Sequence, residues 1–257
     1  MDQSNRTKFV SGGKIPSHSD LRGGVPERVN HRTNTNEKHI AFAAWNVRTL
    51  LDNPKADRPE RRTALIDKEL QRTSIAIVAL SETRFSDEGS LVEQAYTFFW
   101  KGLPEGEIRQ HGVGFAIRND LAAKLTENPV GISERLMTLR FPAANNTFVN
   151  IIAVYAPTLN SSDNLKDTFY ETLVATLSKI PKRERIILLG DFNARVGRGQ
   201  DSELWPGIIG KHGTDSINSN GERLLALCAE HNLCITNTYF ITRPNSRGTW
   251  RHPRSGH

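Results

Sequence analysis

An α/β sandwich of two mixed β-sheets packed face to face, with helices outside, is the fold this sequence predicts. Three observations lead there. Short apolar runs recur between residues 39 and 250, several of them ending in a polar or charged residue. Amphipathic helical stretches are interleaved with those runs. Some neighbouring runs are separated by a helix and others by a short Gly-, Pro- or Asn-containing loop, so parallel and antiparallel pairs are both expected.

Met1 to about Lys38 carry almost no apolar side chains beyond Phe9, Val10 and Ile15. Such a segment buries too little surface to offset its ordering entropy, and residues 1–38 are expected to form a disordered polar, basic tail. The domain is expected over 39–257. It opens with His39-Ile-Ala-Phe-Ala-Ala-Trp45, a strand ending at Asn46. A helix follows over about Pro59 to Arg72, with Ala64, Leu65 and Leu70 on its apolar side and Arg61, Arg62 and Lys68 on its basic side. Ile75-Ala-Ile-Val-Ala-Leu80 is the next strand and runs into Ser81-Glu82-Thr83-Arg84. Strand, helix, strand makes a βαβ-like unit, which brings Asn46 and Glu82 to one edge.

Tyr96 to Trp100 and Gly112 to Ile117 form one antiparallel pair, and Leu136 to Phe141 with Thr147 to Tyr155 another. Leu165, Phe169, Leu173 and Leu177 mark a helix over about Asn164 to Leu177, stopped by Pro181. Ile186 to Leu189 is wholly apolar and reads as a strand buried on both faces. A Gly-rich loop holding Trp205 and His212 comes next. Then come a helix over Gly221 to His231 with Leu224, Leu225 and Cys228 inward, a strand over Leu233 to Thr236, and a last strand starting at Gly248-Thr-Trp250.

The bulk numbers narrow the class. With 257 residues, 37% hydrophobic and 24% charged, the chain is long enough to bury a sizeable core. No apolar run approaches the roughly 18 residues of a membrane span, and the N-terminus lacks a signal-peptide core, so an intracellular, soluble protein is expected. The two cysteines, Cys228 and Cys234, have no zinc-site spacing and read as buried free thiols. A net charge of +6 suits an acidic partner such as a nucleic-acid backbone, although many soluble proteins are mildly basic. Nothing points to a protein partner.

Chemistry is expected at the strand ends. Gly190-Asp191-Phe192-Asn193 offers a carboxylate and an amide on a rigidly held loop. Gly, Asp and Asn also make the commonest turns, so that segment alone has two readings. The recurrence is what matters: Asn46, Glu82, Tyr155, Asp191 and Asn193 each follow an apolar strand. Glu82 suits the anchoring of a hard cation that keeps waters and takes phosphate oxygens. Asp191 suits water activation or leaving-group assistance, Asn193 and Asn46 orientation, and Tyr155 a phosphate-facing hydroxyl.

These residues resemble the motifs of the endonuclease/exonuclease/phosphatase superfamily, the fold of apurinic endonucleases and DNase I. The matching stretches are Ala44-Trp-Asn46, Ser81-Glu82-Thr-Arg84, Val154-Tyr155-Ala-Pro157 and Leu189-Gly-Asp191-Phe-Asn193-Ala194. Within it, Thr49-Leu50, His111-Gly-Val-Gly114, Asn218-Ser-Asn-Gly-Glu-Arg-Leu-Leu225 and Asn237-Thr238-Tyr-Phe240 look like endonuclease domains of non-LTR retrotransposons and craniofacial development protein 2-like sequences. The resemblance implies a four-layer DNase I-like sandwich and a magnesium- or manganese-dependent DNA endonuclease. Glu82 and Asn46 would stand at the metal, and Asp191, Asn193 and Tyr155 at the chemistry. Substrate contacts would fall to Arg84, Asn218, Asn220 and Trp250. Arg84 equally suits a surface arginine, and Trp250 a core position.

The family pattern continues with a Leu-Asp-Tyr-like strand and closes on a Ser-Asp-His motif. This chain ends Arg254-Ser-Gly-His257, with Gly256 where the Asp belongs, so His257 is not matched to the family histidine. The resemblance thus implies a domain lacking its C-terminal strands, poorly stable and nearly inactive by itself. Two rivals accompany the endonuclease reading: a same-fold phosphoesterase acting on other phosphate esters, and a catalytically inactive nucleic-acid-binding protein.

Overall fold

A computed structural model describes residues 7–11, 40–52, 61–143, 145–198, 201–213 and 216–241. In chain order its strands are β1 (Thr7–Ser11), β2 (Phe42–Asn46), β3 (Ile77–Ser81), β4 (Glu88–Val92), β5 (Tyr96–Lys101) and β6 (Val113–Arg118). They continue with β7 (Val130–Ser133), β8 (Leu136–Pro142), β9 (Phe148–Tyr155), β10 (Arg185–Asp191) and β11 (Leu233–Ile235). The helices are α1 (Arg62–Thr73), α2 (Asn119–Ala122), α3 (Asp163–Ser178), α4 (Asp201–Leu204) and α5 (Ser219–Glu230).

β2, β3, β6, β5 and β4 form one sheet in that order, with β2 and β3 parallel and the other pairs antiparallel. The second sheet runs β11, β1, β10, β9, β8, β7. Its first four strands are parallel and its last two pairs antiparallel. Alternation along the strands builds three apolar layers. Ile77, Ala79, Phe115 and Ile117 of the first sheet meet Met137, Leu139, Ile151, Ala153 and Leu189 of the second, so the sheets pack face to face. Val78, Leu80 and Phe98 turn outward onto Ile66 and Leu70 of α1. Ile152, Val154 and Leu188 turn outward onto Phe169, Leu173 and Leu177 of α3 and Leu224, Leu225 and Cys228 of α5. This is the mixed two-sheet sandwich with outer helices that the sequence predicts.

Several expectations are corrected. Thr7–Ser11 lies inside the stretch expected to lack structure, yet it pairs with β10 on one side and β11 on the other. The cause lies in those partners: each offers a row of unpaired parallel-edge groups, and a main chain set between them satisfies both. In α1, Leu65 is 47% exposed and the buried face is Thr63, Ile66, Asp67 and Leu70. Asp67 belongs inside because it accepts hydrogen bonds from the Ala95 and Tyr96 main-chain N–H groups at 3.0 and 2.8 Å. Leu165, expected on the apolar line of α3, is 40% exposed. Cys228 is buried and Cys234 half-buried, and neither forms a disulfide. β4, β7, α2 and α4 are elements the sequence pattern does not announce. Among the described residues no helix is long and apolar enough to cross a membrane. The expected strand at Gly248, with Trp250, lies outside the described residues.

Two parallel pairings position the site. β2 and β3 end level, Asn46 beside Ser81. β10 and β9 end level too, Asp191 beside Tyr155. Gly190 makes the second pairing close: at φ 150° its chain passes Val154 so tightly that a Cβ would collide with the Val154 carbonyl oxygen.

Candidate active site

All five strand-end residues converge at one rim of the sandwich. The Asn46 side-chain amide donates to Glu82 Oε1 at 2.7 Å and to Asp191 Oδ2 at 3.2 Å. One nitrogen from the first sheet therefore joins a carboxylate of its own sheet to a carboxylate of the other. Glu82 Oε2 accepts from the Arg84 guanidinium at 3.3 Å, and Asp191 Oδ1 from the Asn193 main-chain N–H at 2.9 Å. The Asn193 side chain donates to the Ala156 carbonyl at 2.9 Å, fastening the β10 end to the β9 end. Asn46 Oδ1 accepts from the Arg48 N–H at 3.0 Å.

Backbone conformation helps to aim these groups. Glu82, Arg84 and Asn193 have φ of 58°, 61° and 48°. Left-handed conformations cost a non-glycine residue energy, most of all at Glu and Arg, and are held only where surroundings enforce them. At Glu82 two bonds do so: Thr83 N–H to the Gly112 carbonyl at 3.2 Å and Arg84 N–H to the His111 carbonyl at 2.9 Å. Gly112, φ 118°, is needed there, because a Cβ would strike Thr83 Oγ1.

Tyr155 is buried to 6% exposure. Burial, then the neighbouring Glu82 carboxylate, push its phenol up to about 12, so it keeps its proton and remains a donor. His111 and Arg135 complete the wall and are absent from the set the sequence predicts. Arg135 lies with its guanidinium carbon 5.2 Å from the Tyr155 ring centroid. His111 Nε2 is 3.0 Å from an Arg135 nitrogen. Burial first, and Arg135 second, lower the His111 pKa, which keeps the ring neutral and able to accept. A signal for Arg135 exists: it precedes a strand that pairs antiparallel with β9 in the register Leu136 to Val154, which sets it opposite Tyr155.

Two residues expected to contact substrate are used otherwise. Asn218 caps α5, its Oδ1 accepting from Gly221 N–H at 2.8 Å and from Arg195 N–H at 3.1 Å. Asn220 is 2% exposed and donates to the Pro157 and Asn193 carbonyls at 3.0 and 3.1 Å. Through its amide nitrogen it ties the two strand-end loops together, while its buried Oδ1 has no hydrogen-bond partner among the described residues. Arg84 does sit at the rim, with its side chain 40% exposed. Trp250 lies outside the described residues.

The donor set fits a hard cation. Among the described residues no three His, Cys, Asp or Glu side chains gather. A cation at Glu82 would thus rest on one or two carboxylates, water and, with the amide turned over so that its oxygen replaces the nitrogen now facing both carboxylates, Asn46, a pattern magnesium accepts. Glu82 accepts from the Asn46 amide and the Arg84 guanidinium, both exchangeable for a cation, and from the Tyr155 hydroxyl, and its side chain is 19% exposed.

A family model described as the endonuclease/exonuclease/phosphatase family matches residues 43–254. Craniofacial development protein 2 from Bos taurus and from Tragulus javanicus are each 29% identical over 222 residues, covering 84% of this chain. The same stretch is 34% and 35% of those proteins, so the chain spans about a third of the length of these curated relatives. Among solved structures, the AP endonuclease LMAP from Leishmania major superposes with a TM-score of 0.51 at 12% identity. That match covers 75% of this chain and 66% of that one, and it is a likeness of fold.

Proposed function

The chain belongs to the endonuclease/exonuclease/phosphatase family, and from that premise we propose that it is a divalent-metal-dependent phosphodiester hydrolase acting on DNA, an endonuclease of retroelement descent. The observation that carries the reading is the single Asn46 amide shared by Glu82 and Asp191. Two carboxylates on different sheets, 109 positions apart in the chain, have no structural need to meet at a solvent-facing rim. A stability-driven fold would keep them apart.

Glu82 and the Asn46 oxygen would hold magnesium or manganese, which when bound supplies positive charge to the phosphoryl oxygens. Asp191 takes the proton of the attacking water. Its Oδ1 is fixed by the Asn193 N–H, so Oδ2 is the oxygen that turns to the reaction once Asn46 yields it. Asn193 holds the loop in register through the Ala156 carbonyl. Tyr155, protonated across the neutral range, donates to a non-bridging oxygen where charge grows. Arg84 and the exposed Arg48 flank the rim and, with the net charge of +6, favour a polyanionic strand over a small ester.

The test is nicking of supercoiled plasmid by the purified chain, with magnesium, with manganese and with chelator. Nicking that requires the metal and disappears in Glu82→Gln supports the proposal and overturns the expectation that the chain by itself is nearly inactive. Release of phosphate from small esters without nicking would move the substrate class, and metal-independent DNA binding without turnover would leave a binding protein.

A further inference from the structure

Arg135 is buried, its side chain 8% exposed, without a carboxylate hydrogen bond. Glu134 stands 3.6 Å from its Nε, and that nitrogen has no hydrogen-bond partner among the described residues. A buried cation so loosely compensated costs stability, and its contacts say what it holds. Its Nη1 donates to the Tyr155 carbonyl at 3.3 Å, while the Tyr155 N–H donates back to the Arg135 carbonyl at 2.9 Å. Its guanidinium carbon stands over the Tyr155 ring, 5.2 Å from the centroid. Tyr155 is thus gripped by main chain and side chain of one residue.

His111 gives that grip a fixed frame. Its Nε2 takes an Arg135 N–H, and its ring stands 6.0 Å from the Tyr155 ring, centroid to centroid. Its carbonyl accepts from Arg84, the next residue's carbonyl from Thr83, and the Gly112 N–H reaches the Glu134 carbonyl at 3.1 Å. The segment 111–112 therefore stitches the turn that carries Glu82 to the residues that carry Tyr155.

We infer that Arg135, braced by His111, is the positioning residue of Tyr155, setting where its hydroxyl stands relative to Glu82. The last step, from hydroxyl position to rate, rests on the hydrolase reading above; the positioning itself rests on geometry alone. Lys cannot reproduce the grip, because it lacks the planar fork that stacks and donates at once. A hydroxyl displaced by roughly 1 Å costs about 10²-fold in rate.

The experiment uses the full chain with ring-¹³C-labelled tyrosine, comparing wild type with Arg135→Met, Arg135→Lys and His111→Leu. The Tyr155 signal is assigned by its loss in Tyr155→Phe. Arg135→Met and His111→Leu should shift and broaden that signal while the other three tyrosines stay in place, and Arg135→Lys should fall between. In plasmid nicking, Arg135→Met should lower kcat about 10²-fold with KM changed less than about threefold, and Arg135→Lys should recover part of the loss. A Tyr155 signal unmoved by Arg135→Met overturns the inference, as does a loss confined to KM, which would make Arg135 a substrate contact. Should Arg135→Met fail to fold, His111→Leu decides by the same signal. A wild-type chain that turns over nothing while its Tyr155 signal still follows Arg135 would sink the hydrolase reading and leave the brace standing.

Discussion

The two ends of β9 carry clusters built from the same residue types and used in opposite ways. At its start, Arg140 grips Glu184 through two nitrogens at 2.6 and 3.2 Å, Asn150 donates to the same carboxylate at 2.9 Å, and the Arg140 guanidinium lies 3.3 Å over the Phe148 ring. Every strong group there has its partner. At the far end, Glu82 and Asp191 share one amide, and the buried Thr83 Oγ1, Arg84 Nε, His111 Nδ1 and Arg135 Nε have no hydrogen-bond partner among the described residues. Arg48, Glu82, Arg84 and Asn193 at that end also hold left-handed backbone. A satisfied cluster fastens a structure, whereas an under-satisfied one is stability given up for something else. β9 thus separates a rivet from a site within eight residues.

The largest test of that contrast is Asp191→Asn. It should cost about 10²- to 10⁴-fold in nicking rate, the usual worth of a general acid or base. The thermal midpoint should hold or rise, since one of two adjacent carboxylates is neutralised. A fall in midpoint as large as that at a buried ion pair would make the rim a second rivet. Tyr155→Phe comes next. Removing one donor to a charged transition state costs about 10²-fold, and the midpoint should barely move, because the ring keeps its packing on Arg135. Full activity in Tyr155→Phe would remove the hydroxyl from the chemistry.

At the other end the expected effects pass from rate to stability. Glu184→Gln turns an amide donor toward Arg140 and Asn150, leaving a buried group unpaired at a cost of about 1–3 kcal/mol, with nicking by the folded protein unchanged. The pH dependence carries the sign. The Arg140 hydrogen bonds first, and Asn150 after them, hold the Glu184 carboxyl below its ordinary range. A depressed folded pKa adds stability above the unfolded glutamate value of about 4.3, and that stability is lost as pH falls through the folded value. The gap in urea midpoint between wild type and Glu184→Gln should therefore be full at pH 7 and shrink toward pH 3. A gap that does not change with pH would mean packing, not charge, is what Glu184 provides.

The same contrast explains what was legible in the sequence. The inner strands were, because Ile77 to Leu80 and Leu188 to Leu189 are buried on both faces and leave unbroken apolar runs. β4 and β7 were not: they lie at sheet edges, with Val92, Val130 and Ile132 exposed, and owe their form to the neighbours they pair with. The strand-end residues could be read because a polar side chain after an apolar run interrupts a pattern. Asn218 and Asn220 belong to the same motif vocabulary, yet one is a helix cap and the other a buried tie, and residue type alone does not distinguish those uses from substrate contact. Asp67 misled the phase of α1 for a related reason: a carboxylate reads as surface until main-chain donors are placed against it. Arg135 needed the β8–β9 register before its place under Tyr155 could be seen.

Arg140→Lys is the smallest expected effect and the sharpest. Arg140 is 40% exposed on its side chain, so its ion pair is partly screened. Lys keeps the charge but loses the two-pronged contact with Glu184 and the stack on Phe148, a loss smaller than that of Glu184→Gln. At the rim the same exchange, Arg135→Lys, removes the guanidinium that links the Tyr155 carbonyl to His111, and should be read in rate more than in melting. Measured side by side, the pair asks one question of one substitution at both ends of one strand. If both variants lose stability alike and neither loses rate, the two clusters are equivalent and the distinction between rivet and site fails.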